Sequence, residues 1–261
     1  MTIRIGNLTD NANVVIREQL GCFSVLEYKE DLSCTSVSEA EANYYMRESN
    51  VRKRQVKIDL QGNEVSMSAG AMQYMAGNVE MTTGIKGVGG LFRNMVSGAV
   101  SGESAIKPLY KGFGTVVLEP TYKFIWLIDV DNDHISIDDG MFLACDTSLE
   151  LKVVSRKSLS SAALGGEGLF NLSARGKGVL ALEAPIPTEE AVVVELENDV
   201  LKVDGNFALM WSHSLDFTVE RSSKTLIGSA ASGEGLVNVY RGTGTVWLAP
   251  LMNYRPGIGA V

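Results

Sequence analysis

Residues 166–185 read GEGLFNLSARGKGVLALEAP, and the same pattern occurs at two other places in the chain. The stretch at 102–120 reads GESAIKPLYKGFGTVVLEP, and the stretch at 233–250 reads GEGLVNVYRGTGTVWLAP. Each contains Gly-Glu, a basic residue before Gly-x-Gly, an apolar strand-like run and a closing proline. The glycines of the three Gly-x-Gly motifs are Gly112 and Gly114, Gly176 and Gly178, and Gly242 and Gly244. A period of about 65 residues indicates an internal threefold repeat.

The paired glycines are consistent with either a phosphate-binding loop or a repeated bend of the backbone. A dinucleotide-binding fingerprint requires a third glycine and a following helix, whereas strand-like runs follow each motif here. A Walker loop requires Ser or Thr after its lysine, but Lys177 is followed by Gly178. Glycine adopts positive φ and allows close backbone approach, as a tight turn or bulge requires. We therefore predict that all six glycines form structural turns, with no cofactor bound.

The first part of each unit is also similar among the three. The matching segments are VKIDLQGNEVSMSAG (56–70), FIWLIDVDNDHISIDDG (124–140) and AVVVELENDVLKVDG (191–205). We interpret each as two short strands around an acidic or Asn-containing turn, which gives a unit about six strands in all. The sequence predicts an all-β protein with an extension (1–54) and three repeats (55–120, 121–185 and 186–261, the last including a tail).

One or two short helices are expected beside the strands. Ser38 and Glu41 form a capping-box pattern, which predicts a helix from Ser38 to about Asn50. The first unit also contains an insertion, residues 84–102, with apolar residues at helical spacing. It is consistent with a short amphipathic helix packed on the β core, or with an apolar loop that contacts a partner or a membrane surface.

Composition and charge exclude several classes of function. The chain has 261 residues, 23 Lys and Arg against 31 Asp and Glu, and a net charge of −8, which disfavours nucleic-acid binding. Its three cysteines show no Cys-x-x-Cys spacing, so neither a disulfide framework nor a zinc site is expected. The N-terminal residues do not read as a signal peptide, and no apolar run is long enough to span a bilayer. We expect a cytoplasmic protein.

The two histidines, His134 and His213, do not form a recognisable catalytic pattern. Ser212, His213 and Asp216 are close in sequence, but alternate residues of a strand face opposite sides, so these groups would not converge. We predict a protein that is not an enzyme.

The acidic run Asp129, Asp131 and Asp133 resembles the start of a calcium loop. It departs from that loop at the sixth position, where His134 stands, and at the twelfth, where Gly140 replaces glutamate. We therefore interpret the run as a solvated turn and predict no metal site there.

Two charged positions are kept in all three units without a packing reason. They are the glutamates Glu103, Glu167 and Glu234 and the basic residues Lys111, Arg175 and Arg241. One interpretation is an ion pair within a unit or between units, where retention suggests partial burial because an exposed pair contributes only about 0–1 kcal/mol. The other is that three carboxylates converge on an axis and hold a cation.

The Gly-Ala-Met-x-Tyr-Met block at 70–75, together with the Gly-Glu and Gly-x-Gly blocks, resembles bacterial members of a mitochondrial biogenesis family, altered inheritance of mitochondria twenty-four. The resemblance covers roughly residues 55–250. It implies units like those of the tryptophan RNA-binding attenuation protein, which are double-stranded β-helix or jelly-roll-like and assemble side by side into rings. Three units per chain would then imply a homotrimer that closes a nine-unit ring. The family supplies no enzymatic activity to carry over.

The leading functional hypothesis is a non-enzymatic, ring-forming scaffold or interaction protein that presents a repeated surface to an unknown protein partner or a membrane surface. Ring closure removes the unpaired edges that small β units would expose. The alternative is small-molecule binding between units. RNA binding rests on analogy of fold alone and is disfavoured by charge.

Overall fold

The computed structural model describes residues 3–83, 107–138, 140–155, 170–204, 207–221 and 236–251. The N-terminal part contains strands β1 (Val14–Leu20) and β2 (Phe23–Tyr28) and helix α1 (Val37–Glu48). The next strands are β3 (Arg54–Met67), β4 (Met72–Thr82) and β5 (Leu109–Leu118). They are followed by β6 (Phe124–Ile137), β7 (Phe142–Asp146), β8 (Leu149–Ser155) and β9 (Phe170–Ala184). After a 3₁₀ helix (Thr188–Glu190) come β10 (Val192–Asp204), β11 (Ala208–Ser212), β12 (Asp216–Arg221) and β13 (Leu236–Leu248).

These strands form an antiparallel sheet of 13 strands, which confirms the all-β prediction. The pairing follows one scheme in three successive parts of the chain. A long strand (β3, β6 or β10) pairs along its length with the last strand of the same part (β5, β9 or β13). That last strand pairs on its other side with β4, with β7 and β8, or with β11 and β12. The jelly-roll description and the unit boundaries stay predictions.

The acidic and Asn-containing segments are bulges inside long strands, and the interpretation as turns between short strands was wrong. The strands β3, β6 and β10 run for 14, 14 and 13 residues. Their pairing shifts register in the middle, next to a residue with positive φ: Gly62 (94°), Asn132 (54°) and Asn198 (50°). Among the described residues, each of the three parts of the chain therefore has three or four strands, and not the six predicted for a unit.

Helix α1 is present, but its N-cap lies two residues earlier than predicted. Ser36 and not Ser38 is the N-cap, and its Oγ accepts a hydrogen bond from the Glu39 backbone N–H at 3.2 Å. The Glu39 carboxylate in turn accepts from the Thr35 N–H at 2.7 Å. None of the helix residues is buried. Across the described parts of the chain, no helix has the length and apolar character needed to cross a membrane.

The N-terminal hairpin β1–β2 pairs with strand β3. Strand β2 pairs with the first half of β3, from Phe23 opposite Ile58 to Glu27 opposite Arg54. The side chains of Glu27 and Arg54 are each only 4% exposed and form an ion pair with Nε and Oε2 3.0 Å apart. Since a buried charge is costly unless it is paired, this contact fixes the hairpin against β3.

Candidate interaction surface

The six motif glycines lie inside the long strands β5, β9 and β13, opposite the bulges of β3, β6 and β10. Positive φ is found at Gly112 (134°), Gly176 (133°), Gly178 (157°), Gly242 (118°) and Gly244 (158°). At Gly114 the constraint is space, because an added Cβ would lie 2.1 Å from the carbonyl oxygen of Ala76. At Gly112 and Gly114 the backbones of neighbouring strands therefore come closer than a side chain would allow.

The basic residues before the motifs share one place in the sheet. Each lies on the middle strand, directly opposite an acidic residue: Lys111 opposite Glu80, Arg175 opposite Glu150 and Arg241 opposite Asp216. Directly opposite residues point to the same face of a sheet. Arg241 also forms an ion pair with Glu220, with Nη2 and Oε1 2.7 Å apart and both side chains about one third exposed. These acidic neighbours could not be identified from the sequence, because they lie on other strands.

The predicted partners of the basic residues, Glu103, Glu167 and Glu234, lie outside the described residues, as does the insertion at 84–102. Both the ion-pair interpretation and the axial cation stay predictions. In the described ranges, no group of three or more His, Cys, Asp or Glu side chains is arranged to hold a metal ion.

An open cleft of about 390 Å³ lies beside the N-terminal hairpin, lined by Gln19, Gly21, Cys22, Asp59, Gln61 and Asn63. Burial, together with the charge of Asp146, raises the pKa of the Cys22 thiol to about 11. At neutral pH the thiol is therefore protonated and a poor nucleophile. Small-molecule binding between units stays a prediction.

The two histidines meet where β11 pairs with β6. His134 lies on β6 and His213 follows β11, and their rings stack with centroids 3.6 Å apart. Nδ1 of His213 is 2.8 Å from Oγ of Ser136. This contact could not be predicted from the sequence, because nothing in the local sequence shows that β11 pairs with β6.

Two short antiparallel ladders of the same form join the three successive parts of the chain. The end of β3 pairs with β7, with Val65 opposite Asp146, Ser66 opposite Cys145 and Met67 opposite Ala144. The end of β6 pairs with β11, with Ile135 opposite Ser212, Ser136 opposite Trp211 and Ile137 opposite Met210. We call these the first and second internal junctions.

Equivalent backbone hydrogen bonds frame both ladders. In the first internal junction, the Ser68 N–H donates to the Leu143 carbonyl at 2.8 Å, and the Thr147 N–H donates to the Glu64 carbonyl at 3.3 Å. In the second, the Asp138 N–H donates to the Leu209 carbonyl and the His213 N–H to the His134 carbonyl, both at 2.9 Å. The two junctions therefore have the same register.

Strands β4 and β10 each have one side without a partner strand among the described residues. The pairing to β5 and β13 places β4 in the position of β7 and β11, and β10 in the position of β3 and β6. By the same register, Tyr74, Met75 and Ala76 correspond to the junction residues of β7, and Leu201, Lys202 and Val203 to those of β3. We call these two segments the β4 edge and the β10 edge.

Residues 46–251 match the family described as mitochondrial biogenesis AIM24. The chain belongs to this family. A relative is an uncharacterised protein of Streptococcus pyogenes serotype M6, 29% identical over 205 residues, which cover 75% of this chain and 81% of that protein. An X-ray crystal structure of a Streptococcus pyogenes protein matches with a TM-score of 0.57 at 27% identity, over 77% of this chain and 89% of that one. AIM24 membership confirms the resemblance seen in the sequence, whereas the likeness to the attenuation protein stays a prediction.

Proposed function

We propose that this AIM24 protein acts as a non-enzymatic scaffold whose copies join head to tail, the β10 edge of one against the β4 edge of the next. A contact between two different surfaces repeats by rotation and closes into a ring when the angle allows. With three units per chain, we propose a homotrimer of nine units that presents a repeated surface to a protein or membrane partner in the cytoplasm.

The observation that supports this proposal is the difference in burial between the internal junctions and the two edges. Cys145 and Trp211, in the junctions, are 0% and 3% exposed. Met75, which has the same position on β4, is 43% exposed. An apolar side chain left exposed on an unpaired edge invites another strand to pair with it.

The β10 edge shows the same difference. At the ends of β3 and β6 the three junction residues are all buried. On β10, Val203 is buried like its equivalents Met67 and Ile137, but Leu201 is only half-buried and Lys202 is exposed. Val200, which has the position of Glu64 and His134, is 47% exposed. Met75 and Leu201 therefore expose apolar surface that their equivalents in the internal junctions bury.

Backbone direction allows the assembly to be tested with a single substitution. The framing hydrogen bonds show that backbone groups of residues 64 and 68 point towards β7. Every second residue of an antiparallel strand directs its N–H and C=O to the same side, so those of residue 66 also point towards β7. The equivalent groups of Lys202 therefore point away from β13. Proline has no N–H, so Lys202→Pro removes an outward donor and preserves the ladder to β13.

The experiment measures the mass of the purified protein by light scattering at micromolar concentration. We expect about three chains for the wild type and for the matched control Lys202→Ala, and one chain for Lys202→Pro with unchanged circular dichroism. A wild-type protein that is a monomer at this concentration would contradict the proposal.

A further inference from the structure

We infer that the contact between copies is a third junction in the register of the two internal ones, with Leu201 opposite Ala76, Lys202 opposite Met75 and Val203 opposite Tyr74 of a second copy of this chain. The inference rests on the proposed head-to-tail assembly and assigns its residues.

The register follows from positions that are equivalent in both internal junctions. Arg241 pairs with Val200 on β10 as Lys111 pairs with Glu64 on β3 and Arg175 with His134 on β6. Counting from these pairs, Leu201 takes the place of Val65 and Ile135. On the other side, Trp247 pairs with Met210 as Val117 pairs with Tyr74, so Tyr74 takes the place of Met210.

Side-chain chemistry fits this register. Leu201 and Val203 project to one face of β10, and the residues set opposite them, Ala76 and Tyr74, project to the same face. Tyr74 is half-buried by its own chain, so a neighbour can cover the rest of its ring. On the other face, the aliphatic stem of Lys202 covers Met75 and its ammonium group reaches solvent, as long basic side chains do at the rim of an apolar surface.

The framing hydrogen bonds extend the prediction to the flanking residues. Asp204 has the position of Ser68 and Asp138, and we expect its N–H to donate to the carbonyl of Gln73 in the next copy. Gly77 has the position of Thr147 and His213, and we expect its N–H to donate to the carbonyl of Val200. A slip by one residue would reverse the faces, and a slip by two would leave one framing bond without its partner.

Disulfide cross-linking tests the register. Residues directly opposite in a hydrogen-bonded antiparallel pair have Cα atoms about 5.5 Å apart, which a disulfide spans. In a Cys34→Ser background, we expect Met75→Cys with Lys202→Cys to give cross-linked trimers on a non-reducing gel. The matched controls combine Met75→Cys with Val200→Cys or with Asp204→Cys, which are shifted by two residues, about 7 Å along the strand. We expect at least about tenfold less cross-linked product from these shifted pairs.

Mixing two single variants shows that the bond joins different copies. Met75→Cys chains mixed with Lys202→Cys chains should give dimers and nothing larger, because each chain then carries one engineered cysteine. Light scattering on the same samples separates the two proposals. A trimer that cross-links best through a shifted pair overturns the register but leaves the assembly standing, whereas a monomer overturns both.

Discussion

The imidazole rings of His134 and His213 stack with their planes inclined by 28° across the second internal junction. Burial lowers the pKa of both rings. For His134, the pKa is lowered further by His213 and by the charges of Arg175 and Lys152, while Asp133 acts in the opposite direction. The junction therefore favours neutral imidazoles.

We predict that acidification weakens this junction. A histidine whose pKa is lower in the folded chain than the ordinary value of about 6.5 binds more protons when unfolded, so its stabilising effect is present above that value and is lost as the pH falls below it. We expect a double variant, His134→Gln with His213→Thr, to lose less free energy of unfolding than the wild type between pH 7.5 and 5.5. The new threonine copies Thr147, which has the equivalent position in the first internal junction. Urea unfolding at both values of pH checks this. An equal loss in wild type and variant would show that other groups cause it.

The motif glycines should differ in their tolerance of alanine. At Gly242, an added Cβ meets no atom closer than 3.9 Å, so Gly242→Ala costs only the unfavourable φ of 118°, about 1–3 kcal/mol. At Gly112, the added Cβ would lie 2.1 Å from the carbonyl oxygen of Asn78. We expect Gly112→Ala to cost more than about 4 kcal/mol or to prevent folding. Thermal unfolding at one fixed chain concentration measures both, and a similar cost for the two variants would contradict the prediction.

Loss of the buried Arg54 side chain should lower the free energy of unfolding more than loss of a partly exposed arginine. Its Nε donates to Glu27 at 3.0 Å, and its Nη2 donates to the carbonyl of Asn50 at 3.3 Å. Arg54→Met removes one of the three arginines that pair with the buried Glu27 carboxylate and leaves Arg17 and Arg52 in place, so we expect a loss of about 1.5–3 kcal/mol. The control Arg47→Met removes an exposed pair with Glu30 and should cost less than about 1 kcal/mol. Equal losses in denaturant unfolding would contradict this role for Arg54.

The three cysteines should react with thiol reagents in a fixed order. Cys34 is exposed, Cys22 is half-buried, and Cys145 is buried with its pKa raised to about 12 by desolvation and by Asp146. At pH 8 we expect one fast thiol, absent from Cys34→Ser, and at least about a 100-fold slower reaction of Cys145 until the chain unfolds. Since Cys145 lies in the first internal junction, fast native labelling of Cys145 would show that this junction opens readily.

Patterns that repeat within one sequence were enough to predict the all-β class and the family. Local sequence signals did not show where helix α1 begins or that the Asn-containing segments form bulges. Ser36 and Ser38 are each followed three residues later by glutamate, so the sequence offers two helix starts and only the fold selects Ser36. Asn132 and Asn198 occur in segments whose composition suits a hairpin turn and a strand bulge equally well.

The candidate surface could not be predicted from local sequence at all. Met75 and Val200 are apolar residues in strand-like runs, which normally indicates a buried position. Their exposure depends on which strand lies beside them, and that is decided by segments far along the chain. The same is true of the stacked histidines, whose contact depends on the pairing of β11 with β6.

The pairing of strand β3 is completed late in the synthesis of the chain. Val65 and Asp146 are opposite each other in the first junction although 81 residues separate them (146 minus 65). During translation, one side of the second half of β3 stays unpaired until β7 has left the ribosome. Proteins dominated by such distant pairings close large loops and fold in about milliseconds to seconds, so the nascent chain has a prolonged period in which chaperones can bind it.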